Sequence, residues 1–359
     1  MKRLQPPAKR LSEQMIEKVE KHSEPKVEEP EYDGTGVTVS TGSTLLDLAI
    51  SGGRFREGGI PLGVLVEIFG PSGAGKTVLL CQIAGNIQRA GGAIMFHDPE
   101  ARLNKQFARM FGLNPDEIEY TNPNTVTEVF QAVREWIPKD DESKAEKPIY
   151  GIFADSLAAL STNMEMDKDE GDKMGMRRAK EFSEELRKTC RLIARKDILM
   201  VCSNQIRQNL DAGPYGIRYK SPGGEAIGFY SSLRLRCGTP QRIKAKRKFK
   251  GKEHERTVGV KTVIEVYKSS VWKPHGEAEV YIMYDYGIDD IRANLRYLKT
   301  NTGDTTYKLN DRNLGRSLED AIIAVEENHL EQELKDAVID LWNQIEAQFR
   351  EQRKPRFCE

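Results

Sequence analysis

Cysteine is scarce in this chain: five in 359 residues, an odd number, with no C-x-x-C pair. Cys81, Cys190 and Cys202 fall within apolar patterns, where a small buried thiol is the ordinary reading, so a reducing compartment is expected. Net charge is also missing. Lys and Arg total 55 and so do Asp and Glu, which removes any global field for a polyanion and makes any nucleic-acid surface a local one. No uninterrupted apolar run approaches about 18 residues, and the N-terminus MKRLQPPAKRLSEQ has no apolar signal core. No internal repeat appears. The expectation is a soluble, cytoplasmic protein without a membrane partner, long enough for one large core with appendages or for two domains.

What is present centres on residues 64–77, VLVEIFGPSGAGKT. The branched apolar run before Gly70 reads as a buried strand of a parallel sheet. Gly70, Pro71, Ser72, Gly73, Ala74, Gly75, Lys76 and Thr77 fit G-x-x-x-x-G-K-[ST], a phosphate-binding loop. Its glycines let the backbone curl so that successive N–H groups point inward at phosphate oxygens, and the following helix adds its N-terminal dipole. Lys76 reaches the β- and γ-phosphates, and the Thr77 hydroxyl can hold Mg²⁺. A nucleoside triphosphate is the expected ligand.

Along the chain, residues 1–39 read as a charged helix and a Glu/Pro-rich linker. Leu11, Met15 and Val19 form a stripe too narrow to fold alone, which makes the helix a candidate subunit contact. Residues 40–289 alternate strand-like and helical segments. The strands are expected at 93–97, 118–120, 149–154 and 198–203, with helices at 105–111, 126–136 and 178–196. That rhythm predicts an α/β fold with a mainly parallel sheet covered on both faces. From Leu233 strand follows strand (233–237, 260–267, 279–283), which predicts an antiparallel extension. Between them Arg242–Arg256 carries eight basic and two acidic residues; a solvated hairpin tip and a nucleic-acid contact both stay open. Residues 290–359 begin with mixed polar sequence. They end in an acidic helical stretch, 318–351, with ten acidic and two basic residues, read as a small C-terminal helical domain poorly suited to phosphate backbones.

Ligands of open α/β sheets sit at the carboxyl ends of the strands. The strand at 149–154 ends in Asp155, where a carboxylate for Mg²⁺ belongs. The strand at 93–97 runs into Asp98-Pro99-Glu100, and Glu100 can polarise a water for in-line attack on the γ-phosphate. The strand at 198–203 ends in Asn204-Gln205, an amide that can report the γ-phosphate or simply end a strand.

The ordered segments TGSTLLDLAISGG, GPSGAGKT, DPE, IFADSLAAL, NQIRQNL and SPGGEAIGFYSSLRLR resemble the RecA family of bacterial and phage recombinases, from about Thr41 to Gly287. The resemblance implies a RecA-type ATPase core. It makes Lys76 and Thr77 the Walker A lysine and metal ligand, Asp155 the Walker B aspartate, Glu100 the catalytic glutamate and Gln205 the γ-phosphate sensor. It makes Phe107 and Tyr284 aromatics against the nucleotide base, and Phe229 a residue that couples subunits. Lys268 matches the first of two lysines that the family inserts into a neighbour's ATP site. The second falls on Ser270, a departure for which either nearby Lys273 substitutes or one such lysine suffices. Two loops are implied to touch DNA: residues 164–178, with Met174, Arg177 and Arg178, and residues 206–224, with Arg207, Tyr215, Arg218, Tyr219 and Lys220. In the second loop the cations suit phosphates and the rings suit base stacking, although a surface loop between strands remains open from the residues alone.

The reading is therefore an ATP- and Mg²⁺-dependent recombinase that forms helical filaments on single-stranded DNA in a bacterial or phage-infected cell. It captures duplex DNA and exchanges strands. A hexameric helicase-type motor on the same core, or a filament regulator that binds ATP without turnover, are the rivals. Against the first stands the lack of a helicase or primase appendage; against the second stands Glu100.

Overall fold

Strand 65–70 is apolar at every position but one because both faces of its sheet are covered, and alternate side chains enter different cores. The structure, a computed structural model, describes residues 36–136, 149–161, 174–208, 219–220, 225–351 and 353. In chain order the elements are β1 (Thr38–Val39), α1 (Thr44–Ser51), β2 (Ile60–Pro61), β3 (Leu65–Gly70), α2 (Lys76–Arg89), β4 (Ala93–His97), α3 (Lys105–Met110), β5 (Glu119–Thr121) and α4 (Val126–Glu135). Then come β6 (Tyr150–Ala154), α5 (Met174–Arg195), β7 (Ile198–Gln205), β8 (Arg207–Gln208), β9 (Tyr219–Lys220), α6 (Glu225–Tyr230) and β10 (Leu233–Cys237). The rest is β11 (Gln241–Phe249), β12 (Lys252–Ser269), β13 (Glu277–Met283), β14 (Gly287–Ile288), α7 (Asp290–Thr302), β15 (Tyr307–Leu309), β16 (Arg312–Gly315), α8 (Leu318–Glu327) and α9 (Glu331–Gln348).

One sheet of ten strands organises them, in the order β14-β13-β12-β10-β3-β7-β6-β4-β5, with β11 paired to β12. From β10 to β5 neighbouring strands are parallel, and from β10 to β14 they are antiparallel. This is the α/β architecture with an antiparallel extension that the strand pattern predicts.

The period-2 alternation of the strands sorts them between two cores. Val66, Ile68, Ile94, Phe96, Leu199 and Val201 pack with α1, α2 and α7–α9. Leu65, Met95, Ile152, Met200 and Cys202 pack with α4 and α5. Helix α2 contributes Leu79, Leu80 and Ile83, all fully buried, each stabilising the fold by about 1.5–3 kcal/mol. Gly85 lets α2 approach the chain after α3: a Cβ there would lie 2.0 Å from the Gly112 carbonyl oxygen. Cys81, Cys202 and Cys237 are buried free thiols, and burial pushes Cys81 up to about 12.

One expectation shifts. The polar segment after Asp289 contains a full helix, α7, capped by the Asp289 carboxylate accepting from Arg292 N–H at 3.0 Å. It packs back on the core, with Asp290 accepting from the Thr44 N–H at 2.8 Å and hydroxyl at 2.6 Å. The acidic helical stretch is made of two helices, α8 and α9, separated where His329 takes φ 52°. The N-terminal helix expected in residues 1–39 lies outside the described residues, which start at 36.

Candidate active site

The carboxyl ends of β4, β6, β7 and β3 stand side by side, so residues far apart in sequence meet at one edge. Gly70 is the direct register partner of Gln205, and Ala154 pairs with both His97 and Cys202. The edge opens into a cleft of about 670 Å³. Ser72, Gly73, Gly75, Lys76, Thr77, Glu100, Phe107, Asp155, Gln205 and Tyr284 all line it.

The loop between β3 and α2 needs its glycines for local reasons. Gly75 sits at φ 88° immediately before α2. A Cβ there would lie 2.2 Å from Ile282 Cδ1, so both conformation and space require glycine. Lys76 donates to the Gly70 and Pro71 carbonyls at 3.1 and 2.8 Å, so the loop curls around its ammonium. Burial lowers the Lys76 pKa from its ordinary value, and Asp155 opposes that shift. Ala74 is buried under the loop.

Thr77 donates its hydroxyl to Asp155 Oδ2 at 2.6 Å, and Ser203 donates to Asp155 Oδ1. Oxygen donors of this kind, a carboxylate and a hydroxyl, fit a hard cation such as Mg²⁺ whose other positions are filled by phosphate and water. Glu100 is about one-fifth exposed, ion-paired to exposed Arg102 at 2.6 Å, and lies 3.4 Å from the Ser156 hydroxyl. Phe107 packs edge-on against Phe111, centroids 4.3 Å apart; Tyr284, which also lines the cleft, is exposed.

The cleft also uses residues that the sequence does not single out. Asp98 is buried and holds the turn: its Oδ2 accepts from Leu103 N–H at 2.7 Å and Tyr120 hydroxyl at 2.8 Å. Val260 and Ile282, from the antiparallel half, form the apolar floor with Leu103. Ser203 is signalled only by period 2, two residues before Gln205 on the same strand. A second omission is Glu67, the one polar residue of β3. It is fully buried, accepts from Asn204 Nδ2 at 2.9 Å and pairs with Arg234 Nε at 2.6 Å. Asn204 Oδ1 in turn accepts from the Gln205 N–H at 3.0 Å.

Lys268 does not line this cleft. It pairs in register with Arg234, toward the other end of β10, and its ammonium donates to the Gly228 and Phe229 carbonyls at 2.9 and 2.8 Å. Phe229 beside it is 76% exposed. Ser270 donates to the Ser232 carbonyl at 3.1 Å, and Lys273 lies 5.6 Å from the Trp272 ring centroid. Of the DNA-loop residues, Met174, Arg177 and Arg178 begin α5. Arg207 and Lys220 are direct partners of the β8–β9 ladder, with Gln208 opposite Tyr219. Tyr215 and Arg218 lie outside the described residues.

The family described as RecA N-terminal domain matches residues 13–289. That decides the lineage. This chain belongs to the RecA family. It is 31% identical to Protein RecA of Wolbachia sp. subsp. Brugia malayi over 320 residues, covering 88% of this chain and 81% of the relative. It is 30% identical to Protein RecA of Marinobacter nauticus over 329 residues, covering 89% and 84%. To Protein RecA of Halalkalibacterium halodurans it is 31% identical over 297 residues, covering 81% and 78%. The RecA-family match runs through the phosphate loop, the strand-end acids and the antiparallel strands that floor the cleft.

Proposed function

We propose that this RecA-family chain is an ATP-dependent DNA recombinase that polymerises on single-stranded DNA and exchanges strands with a homologous duplex. The enzyme is a DNA-dependent ATPase of recombination and repair. The observation that carries the reading is the meeting of Lys76, Thr77, Asp155, Glu100 and Gln205 at one sheet edge, where phosphate binding, metal binding, water activation and sensing all have a group. A helicase-type motor would share such a cleft; the RecA-family match over residues 13–289 favours the recombinase.

In this mechanism the loop N–H groups and Lys76 bind the β- and γ-phosphates. Thr77 and Asp155 hold Mg²⁺, which when bound neutralises developing charge on the phosphates. Glu100 orients the attacking water and accepts its proton. Phe107 and Tyr284, both in the cleft lining, stack on the base. Gln205 senses the γ-phosphate at the start of the second DNA loop. Behind it, the hydrogen-bonded run Asn204–Glu67–Arg234 leads to the edge where Lys268 and Phe229 lie.

Lys268 lies away from its own cleft and beside an exposed ring, which supports a role in the ATP site of the neighbouring subunit of a filament. Mixing Lys268→Ala protomers with Lys76→Ala protomers should restore part of the turnover at hybrid interfaces. Mixed filaments with no recovery at any ratio would remove the trans role. Strand exchange tests the whole reading. Product is expected with ATP and a homologous duplex and not with a heterologous one; ATP turnover without any exchange would favour a motor.

Among the described residues no helix is long and apolar enough to cross a membrane.

A further inference from the structure

The basic stretch at 242–256 is neither a disordered tip nor evenly charged. Strands β11 and β12 pair from Gln241–Lys261 out to Phe249–Lys252, and Lys250-Gly251 close the turn with φ 48° and 79°, as a two-residue hairpin loop requires. β13 pairs with β12 only from Gly259 onward and β10 only from Ile264. Residues 244–257 therefore project as a free two-stranded ribbon, about 20 Å long at strand rise. It grows from the same end of the sheet as the nucleotide cleft, whose floor includes Val260.

Register sorts its charges by face. Lys244, Lys246 and Lys248 share one face with Glu253 and Glu255. Two diagonal ion pairs cross it, Lys244–Glu255 at 2.7 Å and Lys246–Glu253 at 2.9 Å. The opposite face holds Arg247, Phe249, Lys252, His254 and Arg256, with Ala245 the only other side chain. Among the described residues none of its three cations pairs with a carboxylate. Arg256 donates only to the Glu255 carbonyl, at 2.8 Å, and Phe249 is 66% exposed. Solubility alone would not segregate the acids. We propose that this acid-free face is a binding site for the phosphate backbone of duplex DNA.

The reasons for duplex are geometric. Cations at every second residue stand about 7 Å apart along a straight ribbon, matched to a stiff polyanion with a charge every 3.4 Å or so per strand. Two strands roughly 5 Å apart enter a major groove about 12 Å wide. A single-strand site stacks successive bases on a run of rings between its cations, whereas this face offers one phenyl ring, Phe249 at its tip, and the smaller His254 imidazole. The inference rests on the reading of the chain as a DNA-acting ATPase.

The test compares two triple variants of the full chain, each removing three positive charges from the same ribbon. One is Arg247→Gln/Lys252→Gln/Arg256→Gln; the other is Lys244→Gln/Lys246→Gln/Lys248→Gln on the paired face. Duplex affinity is read by fluorescence anisotropy from 50 to 200 mM salt, with single-strand-stimulated ATP turnover alongside. The first variant should bind duplex on the order of tenfold or more weakly, with the slope of log affinity against log salt reduced by about 2.7, three phosphate contacts. The second should change the slope by less than about 1, and both should keep ATP turnover on single strands. Equal losses in the two variants would reduce the effect to net charge and overturn the site. A loss for single-stranded DNA only would overturn the assignment to duplex. Strand exchange by wild type, with the first variant binding duplex as wild type does, would sink the ribbon and leave the proposed function standing. No turnover or single-strand binding in wild type would sink that function itself.

Discussion

The parallel and antiparallel halves of the one sheet place their chemistry differently. In the parallel half the working groups stand at strand ends. Gly70, Asp98, Asp155 and Gln205 each follow or close an apolar strand; Asp155 accepts from the Thr77 hydroxyl, Asp98 accepts from the Leu103 N–H, and Gly70 and Gln205 are register partners. In the antiparallel half the chemistry lies on strand faces: Lys268 on β12, and the sorted charges of the β11–β12 ribbon. A strand end can be read from one residue after an apolar run. A strand face can be read only once register is known, because a one-residue slip exchanges the two faces.

The largest effect should come from the strand-end side. Glu100→Gln should lower DNA-stimulated turnover by about 10²–10⁴-fold, the range for losing a general base, with ATP and DNA binding retained. Its carboxylate reaches the cleft at the Ser156 hydroxyl and Arg102, and bonds no part of the phosphate loop. If it weakened ATP binding as much as Lys76→Ala does, Glu100 would be a binding group and the division of labour at this edge would be wrong.

Arg234→Ala tests the seam between the halves. The change strips Glu67, which has no exposed surface, of its cation, and Arg234 also stacks 4.5 Å from the Phe69 ring centroid. Breaking such a pair costs about 3–5 kcal/mol, whereas replacing both partners with apolar side chains of similar volume is often near neutral. Chemical denaturation of Arg234→Ala and of Arg234→Met/Glu67→Leu measures both. A single variant as stable as the double would mean that Glu67 finds another partner.

These residues also show what the sequence discloses. The phosphate loop, strands 93–97 and 233–237 and the sensor strand were legible because a motif or an unbroken apolar run marks each. Helix α7 was not: Ile291, Leu295 and Leu298 carry its buried face among polar neighbours, and tertiary packing rather than composition makes it a helix. The Glu67–Arg234 pair spans 167 positions, and only the β3–β10 pairing joins it. Counting eight basic and two acidic residues in the hairpin could not tell an even mixture from a sorted one; the Lys246–Glu255 register does.

A smaller effect, about 3 kcal/mol, should appear with pH. His97 is buried at the end of β4; its Nδ1 lies 2.6 Å from the Thr121 hydroxyl and its Nε2 has no partner among the described residues. Burial pushes its pKa from 6.5 down to about 4. Between those values the unfolded chain binds the proton that the folded chain refuses, so stability rises with pH across that window. Acidification should therefore remove stability from about pH 6.5 downward, levelling off below about pH 4. Denaturation of wild type and His97→Gln at several pH values checks this. The difference between them should shrink toward low pH, and a constant difference would mean that His97 does not titrate with folding.

The smallest effect sharpens the contrast between the second loop and the ribbon. Lys220 stands opposite Arg207 in the β8–β9 ladder, and Tyr219 precedes it opposite Gln208. If this segment binds single-stranded DNA by neutralising phosphates and stacking bases, the two side chains must fail differently. Lys220→Gln should lower the salt slope by about 0.7, one phosphate contact on a single strand. Tyr219→Ala should leave that slope nearly unchanged and weaken binding by about 1–3 kcal/mol, the loss of one stacked base. Neither should alter ATP affinity without DNA. Both signatures should be strongest with a non-hydrolysable ATP analogue, because Gln205 joins the cleft to the start of this segment at Arg207. Titrations with the analogue and then with ADP decide it. If both variants bind single strands as wild type does in the ATP state, this segment is a connector, and the ribbon becomes the first place to look for every DNA contact.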